Sequence, residues 1–270
     1  MSGRYSTASP EMVPPPSQLA YYRFGDRGPP LILLHGLLGS KANMAAVARE
    51  LAGRNRVFAL DLRNHGDSLH APSMTYEGMA ADVLRFLDEH ELEKAALIGH
   101  SMGGKCAMQL ALSHPLRIER LVVVDIAPRG YPQPFWQGYL EAMSSLELAG
   151  LATREDADLA LRSAIASRLY RQFLLSNLNR SPKGGYFWKV NLKALLAGAT
   201  TLAGEITARG TYDGPALFMR GGCSKHVRCE DAKLINRLFP ASRLVTIEGA
   251  GHLLHIEAKE RFIEELVAFL

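Results

Sequence analysis

The chain has 270 residues, of which 47% are hydrophobic and 21% charged, a balance typical of a globular protein with a sizeable core. Its 31 basic and 27 acidic residues give a net charge of +4, which does not indicate a nucleic-acid partner, and no apolar run approaches the roughly 20 residues of a membrane span. Three scattered cysteines, Cys106, Cys223 and Cys229, are too few for a disulfide framework or a four-ligand zinc site. We therefore predict a reducing, cytoplasmic compartment and no metal.

The first residues form a segment of different composition. Residues 1–16 are rich in Ser and Pro and lack the apolar run of a signal peptide. A single Arg and the presence of Glu11 also argue against an amphipathic transit peptide. We predict a flexible leader over residues 1–17.

From Leu19 onward, short apolar runs alternate with helical patterns, which indicates strand–helix units around a mostly parallel sheet. Segment 75–89 is one such helix, with apolar residues at helical spacing and Thr75 as its N-cap. Each apolar run is four residues long, as expected for strands buried on both faces. The six runs are 31–34, 57–60, 95–98, 121–124, 216–219 and 244–247.

Between Asp125 and Pro215 the alternation stops. The pattern there is helical for about ninety residues, which is too long for a loop within a compact domain. We predict a helical cap over residues 129–210, inserted into an α/β core formed by residues 18–128 and 211–270.

The strongest chemical signal is the run Gly99-His100-Ser101-Met102-Gly103-Gly104. It follows one apolar run and precedes a helical segment, the strand–turn–helix context in which G-x-S-x-G presents a nucleophilic serine. Glycines at 99 and 103 are expected because a Cβ would collide where strand and helix backbones come close. The sequence therefore predicts Ser101 as a nucleophile, with Gly99, His100 and Gly103 forming its turn.

A second glycine-rich turn, His35-Gly36-Leu37-Leu38-Gly39, follows the apolar run 31–34. Acyl transfer needs a second backbone donor opposite the one that follows the nucleophile. We predict that the N–H groups of Leu37 and Met102 form the oxyanion hole.

A serine needs a base, and the base needs an orienting acid. His252 lies in the glycine-rich loop after the last apolar run, downstream of the nucleophile, and we predict it as the base. His35 is expected near a strand end, in reach of the substrate pocket. His255 is expected to point elsewhere.

The acid is less directly indicated. The loop after run 216–219 reads Arg220-Gly221-Gly222-Cys223-Ser224, and Cys223 stands where an Asp would be sought. A thiol cannot replace a carboxylate beside an imidazolium. Asp125, which closes run 121–124, is the other carboxylate at the sheet edge, and we predict it as the acid. Glu230 and Asp231 are expected to face solvent.

The segment Asp61-Leu62-Arg63-Asn64-His65-Gly66-Asp67-Ser68 has two interpretations. Arg63 or His65 could contact an anionic acyl group or the phosphates of a thioester. Dense polar turn residues more often brace their own loop, and we favour that structural role.

Seven motifs together resemble the α/β-hydrolase superfamily and, within it, small YbfF-type serine esterases. They are HGLLGS (35–40), DLRNHGDS (61–68), GHSMGG (99–104), VVVDIAP (122–128), FWKVNL (187–192), FMRGGCS (218–224) and GAGHLLHIE (249–257). The resemblance implies an eight-stranded sheet with a helical cap and a cofactor-free esterase acting on short- to medium-chain acyl esters or acyl thioesters. It also supports Asp125 as the acid, since those esterases similarly lack an Asp in the later loop.

We therefore predict a serine carboxylesterase or thioesterase, active as a monomer or homodimer on a small-molecule acyl ester or acyl-CoA. Composition suggests four aromatic residues for an apolar acyl slot. Two alternatives remain, a haloperoxidase-like or carbon–carbon bond hydrolase with the same triad, and a non-catalytic receptor. The four aromatic residues are Phe135, Trp136, Phe187 and Trp188.

Overall fold

The computed structural model describes residues 11–13, 19–131 and 136–270. The strands are β1 Glu11–Val13, β2 Tyr21–Phe24, β3 Pro30–Leu34, β4 Arg56–Leu60, β5 Ala95–His100, β6 Ile118–Val124, β7 Leu178–Arg180, β8 Tyr186–Trp188, β9 Ala216–Gly221 and β10 Ser242–Ile247. The helices are α1 Lys41–Leu51, α2 Tyr76–Glu89, α3 Met102–Ser113, α4 Gln137–Ser144, α5 Arg154–Leu161, α6 Arg168–Leu175, α7 Leu192–Ala197, α8 Ala199–Ala203, α9 Asp231–Leu238, α10 Leu254–Glu257 and α11 Lys259–Phe269.

Within the described residues, eight of these strands form one sheet in the order β1-β2-β4-β3-β5-β6-β9-β10. The β1–β2 and β2–β4 pairs are antiparallel, and every other neighbouring pair is parallel. The predicted mostly parallel, eight-stranded α/β sheet is therefore confirmed. One strand lies within the segment predicted as a flexible leader, because Glu11–Val13 pairs with β2.

All six apolar runs form strands, and alternate side chains enter two separate cores. Ile32 and Leu34 belong to the core shared with α2 and α3, whereas Leu31 and Leu33 face the core shared with α1 and α11. Strand β10 differs from the prediction, since most of its residues are only half-buried. It is the last strand of the sheet, and burial on both faces is a property of interior strands.

Helix α2 begins where the sequence predicts. The Thr75 hydroxyl accepts a hydrogen bond from the Gly78 N–H at 3.0 Å, and the apolar face of the helix is buried. No helix within the described part of the chain is long and apolar enough to cross a membrane.

The region between β6 and β9 contains helices α4 to α8, but it is not helical throughout. Strands β7 and β8 form an antiparallel hairpin around the turn that begins at Ser181, where Gly184 and Gly185 have positive φ angles. Within the stretch predicted as helical, residues 154–176 form two separate helices, α5 and α6. Apolar spacing alone cannot separate a short hairpin strand from a helical turn, so this part of the prediction was wrong.

Candidate active site

Ser101 lies at the sharp turn between β5 and α3. Its φ of 52° and ψ of −116° place a non-glycine residue in a strained backbone conformation. Residues strained in this way cluster at functional sites of proteins. The Ser101 N–H donates to the Val124 carbonyl at 2.9 Å, which ties the turn to the end of β6. The structure therefore holds this serine at the carboxyl edge of the sheet.

The two glycines beside this turn are required by close packing. A Cβ at position 99 would lie 2.3 Å from the Gly103 oxygen, and one at position 103 would lie 2.5 Å from the Leu34 oxygen. Both contacts are to backbone atoms that cannot move aside. The expected collision of strand and helix backbones is confirmed.

Asp125 and His252 form a short hydrogen bond, although 127 residues separate them. The Nδ1 of His252 donates to Oδ2 of Asp125 at 2.7 Å, because an ionised carboxylate only accepts. Asp125 is fully buried and also accepts the Gly221 N–H on Oδ1 at 3.0 Å. The Nε2 of His252 has no protein partner among the described residues.

Ser224 and His226 complete the surroundings of this pair, and the sequence interpretation missed both. The Ser224 hydroxyl donates to Oδ2 of Asp125 at 2.5 Å. The ring of His226 stacks on that of His252, with centroids 3.8 Å apart and planes 20° apart. Burial, followed by the nearby His252, lowers the pKa of His226 to about 4, so this ring is neutral near pH 7. The sequence signal that could have identified Ser224 is its position three residues after the end of β9, the strand that pairs with β6.

Among the described residues, the one group of three side chains spaced for a metal ion is Asp125, His226 and His252, with ligand atoms within 4.8 Å of one another. Its geometry does not fit a metal. The Nδ1 of His252, one of the three candidate ligand atoms, carries the proton bound to Asp125 and so has no free lone pair for a metal. The arrangement instead fits an acid that orients a base.

The loop after β3 is held by two buried histidines. His65 accepts the Leu38 N–H on Nε2 at 3.1 Å, and its Nδ1 donates to the Arg63 carbonyl at 2.9 Å. His35 accepts the Leu62 N–H at 3.0 Å and donates to the Gly36 carbonyl at 2.7 Å. Both nitrogens of each ring form hydrogen bonds to backbone groups, so the structural role favoured for His65 agrees with its contacts.

Asn177 adds a contact from the cap region to the same loop. Its side-chain amide donates to the Leu38 carbonyl at 2.8 Å, so Leu38, which has a φ of 61°, is held on both sides. No protein acceptor in the described residues takes the N–H of Leu37 or Met102, and both residues line the cavity beside Ser101. These two N–H groups are available to a ligand.

The cavity of about 130 Å³ brings together residues from the core and the cap region, including Ser101 and His252. Its wall is mostly apolar and aromatic. Most of its aromatic residues are tyrosines that the sequence interpretation did not single out. The aromatic wall consists of Tyr76, Tyr131, Trp136, Tyr139, Tyr170 and Phe173.

Several pocket predictions have different outcomes. Trp136 and His35 line the cavity, and Phe135 lies outside the described residues. Phe187 and Trp188 do not line it, because they lie on the β7–β8 hairpin. Phe187 is 42% exposed, and the Trp188 indole N–H donates to the Met143 carbonyl at 3.2 Å.

Three further residues, His100, His255 and Asp231, have surroundings that the sequence did not predict. His100 donates from Nε2 to the His252 carbonyl at 2.9 Å and so supports the loop that carries His252. His255 was expected to point away, but α10 turns it back to line the cavity, with its ring centroid 5.0 Å from that of His100. Asp231 is buried and paired with Arg129 at 2.8 Å, not solvent-facing.

Comparison with known proteins gives consistent results at the level of the whole chain. The family model described as alpha/beta hydrolase fold matches residues 29–259. The sn-1-specific diacylglycerol lipase ABHD11 of Danio rerio is 38% identical over 264 residues, covering 94% of this chain and 83% of that protein. Esterase YbfF of Escherichia coli is 33% identical over 243 residues, covering 89% and 92% of the two chains.

Among solved structures, a marine microorganism esterase superimposes with a TM-score of 0.92 at 38% identity. The match covers 94% of this chain and all of that one.

Proposed function

We propose that this chain, which belongs to the α/β-hydrolase family, hydrolyses carboxylic esters through a covalent acyl-enzyme on Ser101. The observation that carries the proposal is the 2.7 Å hydrogen bond between the buried Asp125 and His252, which lines the same cavity as the strained Ser101. The relatives named lipase and esterase support an ester as the substrate.

In the first half of the reaction, the Ser101 Oγ attacks the acyl carbon while Nε2 of His252 takes its proton. Asp125 keeps the imidazole in the tautomer that presents Nε2 as the base, and it stabilises the imidazolium that forms. The N–H groups of Leu37 and Met102 donate to the oxyanion, and each such donor typically contributes about 10²- to 10³-fold in kcat.

In the second half, His252 returns the proton to the leaving alkoxide or thiolate, which departs as alcohol or thiol. Water then attacks the acyl-enzyme with His252 as its base, and collapse of the second oxyanion restores the Ser101 hydroxyl and releases the carboxylic acid. No cofactor enters either half.

We extend the proposal to short- and medium-chain acyl esters and acyl-CoA thioesters, because the cavity is largely apolar and beside the nucleophile. Cytoplasmic residence and a monomeric or homodimeric state remain predictions from the sequence.

Labelling with a fluorophosphonate and turnover of a graded series of p-nitrophenyl esters and acyl-CoAs test the proposal. Ser101→Ala should lose stoichiometric labelling, and its kcat should fall by about 10⁶, as expected when the nucleophile of such a triad is removed. Ser113→Ala, at the other end of α3, is the matched control and should behave as the wild type. Ester turnover that survives Ser101→Ala would overturn the mechanism.

A further inference from the structure

Lys105 is a buried cation in the wall of the cavity, one helical turn beyond Ser101. The backbone N–H of Lys105 donates to the Ser101 carbonyl at 3.1 Å, and the whole residue is only 1% exposed. Lysine is rarely buried to this extent without a charged partner. Neither the catalytic cycle above nor the sequence motifs assign it a role.

No ion pair within the described residues compensates a charge on the Lys105 amine. Nζ donates to the Gly204 carbonyl at 2.5 Å and lies 4.8 Å and 5.3 Å from the ring centroids of Tyr131 and Tyr76. Among the described residues, no carboxylate lies within the 4.0 Å ion-pair distance of Nζ. Burial, and then the positive charge of Arg129, lower the pKa of Lys105 to about 7, with Glu205 opposing the shift, so the amine is only partly charged near pH 7 and a bound carboxylate would favour its ammonium form.

We propose that Lys105 binds a carboxylate carried by the substrate, so that the preferred esters have an anionic second end. This inference rests on the proposed esterase function. An ammonium has three N–H donors, and the Gly204 carbonyl uses one of them. A ligand carboxylate in this apolar cavity would accept the others and supply the charge that the protein does not.

A purely structural role for Lys105 accounts for less of the geometry. Holding the Gly204 carbonyl requires one hydrogen-bond donor, which a neutral side chain could supply without the cost of burying a charge. Tyr76 and Tyr131, whose rings flank the ammonium, also line the cavity. The cation therefore lies between groups that a bound substrate would reach.

Matched pairs of esters test the proposal. Monoethyl esters of succinate, glutarate and adipate place a carboxylate on the acyl side, and ethyl butanoate, pentanoate and hexanoate are their neutral counterparts. O-acyl glycolates place the carboxylate on the alcohol side, and the ethyl esters of the same acyl groups are their neutral counterparts. In at least one charged series, the wild type should have a kcat/KM about tenfold to hundredfold above the neutral partner, the range of a charge-assisted hydrogen bond.

Two variants separate recognition of the carboxylate from a structural role. Lys105→Met should abolish the charged-over-neutral preference, because it removes the ammonium that would bind the carboxylate, whereas the loss of the hydrogen bond to the Gly204 carbonyl should affect charged and neutral esters alike. Lys105→Arg should retain part of the preference. The exposed Lys193→Met is the matched control and should leave the ratio unchanged.

The outcomes distinguish this proposal from the esterase assignment. If the wild type hydrolyses neutral esters but does not favour any charged series, the Lys105 proposal is wrong and the esterase function stands. An equal loss of both substrate types in Lys105→Met also contradicts it. If no ester of either type is hydrolysed, the proposed function itself fails. A wild type without any charged-over-neutral preference refutes the proposal even if no variant folds, and Lys105→Arg, which keeps a cation, tests the residue if Lys105→Met does not fold.

Discussion

Two pairs of neighbouring histidines lie within the same molecule and serve different purposes. His35 and His65 have ring centroids 5.1 Å apart, are almost completely buried, and bond to backbone through both nitrogens. Burial is the largest cause that lowers the pKa of His35 to about 4 and of His65 to about 3. Both rings are therefore neutral, and they act as rigid donor–acceptor bridges.

His226 and His252 are closer, with centroids 3.8 Å apart, but their side chains are 21% and 13% exposed beside the cavity. They share the carboxylate of Asp125, which lies 2.7 Å from His252 and 3.6 Å from His226. In His252, the carboxylate lies next to Nδ1 and Nε2 has no protein partner among the described residues, which is the arrangement that fits a base and not a structural bridge. The contrast shows that the partners of each ring, not its burial alone, separate the two roles.

In this comparison of the two pairs, we expect the largest effect when the carboxylate of Asp125 is removed. Asp125→Asn should lower kcat for any ester substrate by about 10⁴, because an amide no longer holds the required tautomer or stabilises the imidazolium. Steady-state kinetics measure the loss, and the exposed Asp213→Asn is the control. Near-normal kcat in Asp125→Asn would remove the distinction between the two pairs.

A smaller effect is expected from the structural pair. His65→Phe leaves the buried Leu38 N–H without its acceptor, which should reduce the free energy of unfolding by about 1–3 kcal/mol. The displaced loop should also lower kcat by about 10- to 100-fold with little change in KM, because Leu37 donates mainly to the oxyanion of the transition state. His65→Gln, which can offer an acceptor, should recover part of both losses. An unchanged kcat in His65→Phe would show that this pair does not position the oxyanion loop.

The smallest effect concerns the pH dependence of stability. Because the pKa of His35 and of His65 is lower in the folded chain than the ordinary 6.5, the unfolded chain binds more protons between about pH 4 and 6.5. Their stabilising contribution is complete above about pH 6.5 and is lost as the pH falls towards about 4. In urea unfolding at pH 7, 6 and 5, His65→Gln should reduce the slope by an amount that grows as the pH falls and approaches about 1.4 kcal/mol per pH unit near pH 5, where the unfolded chain binds nearly one more proton. Identical slopes in wild type and variant would mean that His65 is not held neutral.

Much of the fold, and the sharp turn that presents the proposed nucleophile Ser101, could be predicted because their signals are local. Four-residue apolar runs predict buried strands, and the glycines at 99 and 103 predict a turn in which backbones touch. His252 could be selected from nine histidines by its place after the last strand. The hairpin of β7 and β8 was missed because three-residue strands carry too little periodicity.

By itself, the sequence determined the strands, the sharp turn at Ser101 and the loop that carries the proposed base His252, since each depends on residues only a few positions apart. The tertiary structure alone decided three contacts: the hydrogen bond between Ser224 and Asp125, the stacking of His226 on His252, and the position of Lys105 between two cavity tyrosines. These contacts join residues that are distant along the chain, and they form because β6 and β9 are neighbours in the sheet and the cap region folds back over its edge. No local pattern encodes that order of strands.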